Sequence, residues 1–135
     1  MLCMLARDTN KKYTIRIVKG ALIHPAWLAQ FNPRVIKKFE NLNWDSLMEF
    51  ELTLDEIKDA QKQMVKHYSD PTPWYMDGYA VWDHNCILVA FGADDGEGGR
   101  IFNFDRNDQG MFKKVVAYAF LKGIPKEQMD FLDES

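Results

Sequence analysis

Residues 12–18 alternate between apolar and polar positions: Tyr13, Ile15 and Ile17 fall on one face and Lys12, Thr14 and Arg16 on the other, the period of a half-buried strand. Residues 2–7 make a second candidate strand, and Asp8-Thr9-Asn10-Lys11 between the two has the composition of a hairpin turn. Two short helices are expected next. His24-Pro25 opens one through Ala26, Trp27, Leu28 and Phe31, and Asn32-Pro33 opens the other, Asn as cap and Pro at the first helical position, with Val35, Ile36, Phe39 and Leu42 as its stripe. After Trp44 the alternation returns, with Met48, Phe50 and Leu52 opposite Glu49 and Glu51. Thr53-Leu54-Asp55-Glu56 is a capping box, and Ile57, Ala60, Met64 and Tyr68 follow at helical spacing until Asp70-Pro71.

The second half reads as a three-stranded antiparallel meander followed by a helix. Its strands are 74–82, 86–91 and 101–105, with a tight turn at Asp83-His84-Asn85 and a glycine-rich acidic loop before the last strand. The middle strand is apolar on both faces, as a covered central strand should be. Met111, Phe112, Val115, Val116 and Ala119 mark a helix from Asp108 to Lys122, closed by Gly123 and Pro125, and Met129, Phe131 and Leu132 suggest a short helix in the acidic tail. The element order β-β-α-α-β-α-β-β-β-α describes an α+β fold, an antiparallel or mixed sheet of five to six strands backed by helices, in a single domain over 1–135.

Composition supports a packed core: 47% of the 135 residues are hydrophobic and 18 are aromatic. No apolar run approaches the ~20 residues of a membrane span. The apolar start Met1 to Leu5 is too short for a signal-peptide core and lacks a preceding basic residue, so a cytoplasmic protein is expected. Cys3 and Cys86 both sit in apolar runs, where free buried thiols in a reducing compartment are the simplest expectation. The net charge of −3 hides a segregation. Residues 1–38 carry eight basic side chains against one acid, and the remainder nine against 19. Lys12 and Arg16 have a natural complement in Glu49 and Glu51, so these two strands are expected side by side.

Four candidate sites follow. Asp94, Asp95 and Glu97 lie in a loop holding four glycines, where oxygen ligands on a sharply bending backbone could take a divalent cation, and a solvated hairpin loop is the alternative. Asp105 to Gly110 has the opening of a calcium loop without its closing carboxylate, which makes Asn107 or Asp108 a helix cap instead. Trp74, Tyr75, Tyr79 and Trp82 form an aromatic group that belongs to the core on one face and, if the other face is uncovered, to a ligand or partner surface. The basic quarter (Lys11, Lys12, Arg16, Lys19, Arg34, Lys37, Lys38) would give salt-dependent polyanion binding, although a pI near 5.6 argues against nucleic acid. The histidines show no ligand spacing: His84 belongs to a turn, two residues from Cys86; His24 is placed as a cap and His67 on a solvated helix face.

These features describe a small soluble protein acting through protein–protein contacts, as a binding, regulatory or accessory subunit or as a homodimer, with no cofactor and no chemistry of its own. A divalent-cation-assisted hydrolase or transferase on loop 92–99, with His84 as acid or base, is one alternative, and a polyanion or nucleic-acid binder is the other.

Overall fold

The computed structural model describes residues 11–40, 44–64 and 73–124. The first alternating segment forms β1 (Lys12–Val18), with Tyr13, Ile15 and Ile17 buried. Two 3-10 segments, Lys19–Ala21 and Pro25–Phe31, lead to β2 (Arg34–Lys38) and β3 (Ser46–Thr53). Then come α1 (Leu54–Gln63), β4 (Tyr75–Ala80), β5 (Asp83–Phe91), β6 (Ile101–Asp105) and α2 (Gln109–Leu121). The strands form one six-stranded sheet in the order β2-β3-β1-β4-β5-β6, antiparallel at every step, so the α+β expectation holds.

The capping box is present in full: Thr53 N–H donates to Glu56 Oε1 at 2.8 Å, and Glu56 N–H donates to Thr53 Oγ1 at 3.3 Å. Asp108 caps α2 by accepting from Met111 N–H at 3.0 Å. The expected pairing of the two alternating strands is also found, with Arg16 opposite Glu49 and Thr14 opposite Glu51.

Several expectations need correction. The helix expected from Asn32-Pro33 is a strand. Asn32 ends the preceding 3-10 segment in the left-handed conformation (φ 49°, ψ 57°), which turns the chain outward, and β-branched Val35 and Ile36 then suit the extended β2. The turn expected at 83–85 lies earlier, at Val81 and Trp82. β5 begins at Asp83, and the surplus residues are absorbed where the register shifts between Tyr79 and Ala80. α1 ends at Gln63, with Met64 as its C-cap, short of the Asp70-Pro71 end expected for it; the expected strand 2–7, the positions beyond Met64 and the expected tail helix lie outside the described residues. Both edges of β1 are occupied, by β3 and β4.

The sheet carries a core on each face. On one, Tyr13, Ile15, Phe50, Leu52, Met76 and Leu88 pack under α1 and the 3-10 segments. On the other, Ile87, Val89, Phe91, Phe102 and Phe104 pack under α2. β5 therefore buries both of its faces, as its unbroken apolar run requires. Cys86 is disulfide-bonded, and the only other cysteine of the sequence is Cys3, outside the described residues. This replaces the free thiol expected there and removes the support that free thiols lent to a reducing compartment. No helix among the described residues is long and apolar enough to cross a membrane.

Candidate functional site

The glycine-rich loop after β5 is held by its own acid. Asp95, 4% exposed, accepts four hydrogen bonds: Oδ1 from the N–H of Glu97 (2.8 Å) and Gly99 (2.9 Å), and Oδ2 from Arg100 N–H (2.9 Å) and the Tyr118 hydroxyl (2.6 Å). Such a wrap needs positive φ, supplied at Gly96, Gly98 and Gly99 (92°, 76° and 91°). Gln61 of α1 grips the loop from the other side of the sheet: its Nε2 donates to the carbonyls of Phe91 and Gly99, both at 2.9 Å, and its backbone carbonyl accepts from Ala93 N–H at 2.8 Å. One loop is thus tied to helices on opposite faces.

Burial alone would raise the Asp95 carboxyl, but the Tyr118 hydroxyl and the three backbone N–H donors outweigh it and bring its pKa down to about 2. Tyr118 moves up, through burial and the adjacent carboxylate. Glu97 reaches Lys122 at 3.4 Å and Arg100 at 3.8 Å, and the Arg100 guanidinium lies over the rings of Phe102 and Tyr118 at 4.5 and 5.1 Å. Asp95 points inward, Glu97 faces two cations and Asp94 is half-buried. Among the described residues no three His, Cys, Asp or Glu side chains are placed to hold a metal ion.

The aromatic group is divided by the pleat. Trp74 packs with Met76 on the α1 side and meets Trp44 at 6.1 Å, whereas Tyr75 and Tyr79 pack on the α2 side. Trp82 stands at the β4–β5 connection, edge-on to Tyr13 at 5.1 Å and under the Lys11 ammonium. The four aromatics do not share one surface. His84 is exposed against the Tyr79 ring at 4.5 Å, and its backbone carbonyl accepts from Arg106. His24 precedes its 3-10 segment without a side-chain capping bond.

Sheet register assembles an arrangement that linear spacing does not display. Asp77, Arg16, Glu49 and Arg34 stand in one row across β4, β1, β3 and β2, with charges alternating in sign. Arg16 Nε donates to Glu49 Oε2 at 2.9 Å, and Arg34 donates to Glu49 Oε1. Burial disfavours both charged forms, yet Glu49 is lowered and Arg16 raised by their mutual hydrogen bond and charge, with Arg34 acting on Glu49 and Asp77 on Arg16. The neighbouring row, Tyr79, Thr14 and Glu51, floors an open polar groove of about 500 Å³. Lys12 lies along it, and Phe31 and Asn32 form its wall.

Fold and groove together define an α+β protein built on one antiparallel sheet with helices on both faces. The chain matches no known protein family, no curated protein and no solved structure.

Proposed function

We propose that this chain is a small binding or regulatory protein that acts through protein–protein contacts, as an accessory subunit or a homodimer. The observation that carries it is the pair Phe120 and Leu121, 72% and 78% exposed side by side at the end of α2. Two large apolar side chains held outward on a helix, next to a packed core, mark a contact surface. The ionised groups best placed for chemistry, Asp95, Glu49 and Arg16, are each committed to hydrogen bonds within the fold. Size-exclusion chromatography with light scattering, combined with cross-linking in extracts of the native host, should give a dimer or a defined heteromer. Phe120→Glu with Leu121→Glu should abolish it. A partnerless monomer under both conditions would overturn the proposal.

A further inference from the structure

β2 is an edge strand: it pairs only with β3, no strand among the described residues lies on its outer side, and four of its five residues are exposed. Its outward chemistry is uniform. Arg34 (side chain 69% exposed), Lys37 and Lys38 are basic, and Val35 is 48% exposed. The row Asp77, Arg16, Glu49 and Arg34 is itself balanced, so the positive charge of the edge comes from Lys37 and Lys38 beyond it. This cluster belongs to a chain whose net charge is −3.

We propose that the outer edge of β2 accepts an extended acidic segment of a partner protein as a seventh strand. This rests on the protein-binding reading above and names the partner's chemistry. Main-chain groups of an open edge recognise any extended chain, so the side chains must select it. A second copy is a poor occupant. Two β2 strands pairing antiparallel about Ile36 would set Arg34 of each opposite Lys38 of the other, and like charges directly opposite destabilise a strand pair. Arg34 and Lys37, brought to one face by the register shift after Val35, and Lys38 on the other face attract carboxylates of the segment, while exposed Val35 meets an apolar residue. Pro33 has no N–H to donate, which limits the frame at one end to Arg34. Past that point Glu49 and Glu51 line the groove, so the acidic segment ends beside Arg34.

The test uses a fluorescein-labelled peptide of alternating Glu and Val, its Lys and Val counterpart, and a version of the acidic peptide with proline at every second position. At low salt the acidic peptide should bind and protect the amides of residues 34–38 from hydrogen exchange, and the other two should not. Lys37→Glu with Lys38→Glu, confirmed folded by circular dichroism, should weaken it about tenfold or more, as reversal of steering charges does. Failure of the acidic peptide to bind, equal binding by the double variant, or equal binding of the proline peptide, which would mean attraction to any polyanion, overturns the inference. If cross-linking finds a partner on Phe120 and Leu121 while the β2 amides stay unprotected, the inference falls and the protein-binding proposal stands.

Discussion

Asp95 shows how one side chain in a glycine-rich loop admits two readings. Carboxylates among glycines suit an ion and suit a loop locked by its own backbone equally well, because both need oxygen acceptors on a chain free to turn. The deciding partners, Tyr118 and Gln61, come from helices 23 and 34 residues away in sequence and carry no local signal. Their lock has a pH signature. A carboxyl lowered from 3.8 to about 2 in the fold stabilises the native state fully above its unfolded value and loses that contribution as pH falls toward 2. Asp95→Asn should therefore cost about 2–3 kcal/mol at pH 7, from several buried donors left without a charged acceptor. Urea unfolding followed by tryptophan fluorescence should show the gap to the wild type closing between pH 4 and pH 2, and a gap independent of pH would contradict the lock. Glu49 permits a ranking within one network. Glu49→Ala should be the more damaging change because it leaves half-buried Arg16 without its acceptor, whereas Arg34→Ala should cost less than about 1 kcal/mol, as for an exposed pair. Chemical denaturation of the two variants side by side checks the order.

Elements were legible where local pattern and tertiary demand agree. The alternation of β1 and β3, the capping box at Thr53 and the cap at Asp108 were all readable, and so was the neighbouring of β1 and β3, since opposite charges on two polar faces identify a strand pair. β2 was illegible because Asn-Pro is as good an end to one segment as a start to another, and only pairing with β3 decides between strand and helix. Close approach was equally hidden. Gly78 of β4 sits where a Cβ would fall 1.8 Å from the Thr14 carbonyl of β1, so Gly78→Ala must push the two strands apart. Thr53→Ala should cost only about 1 kcal/mol through the lost cap. Thermal melts should place T53A a few degrees below the wild type and leave G78A without a cooperative transition; a G78A melt near that of T53A would show that β4 can yield.

For the molecule as a whole, the sheet order joins segments remote in sequence: Lys12 lies opposite Thr53, and Arg16 lies between Glu49 and Asp77. Such non-local pairing slows folding, because loops must close before contacts form. Stopped-flow refolding is expected in the millisecond-to-second range, and a microsecond phase carrying the full amplitude would argue against β1 as the late-completed centre.

The chain begins its described course in the middle of the sheet and adds strands outward, β3 and β2 to one side, then β4, β5 and β6 to the other. On a ribosome this has a cost in time. At roughly 5–20 residues per second, β4 emerges some 3–12 s after β1, during which one edge of this central strand lacks its partner. Synthesis speed and chaperone supply, more than the stability of the finished sheet, should therefore set how much of this protein a cell recovers intact.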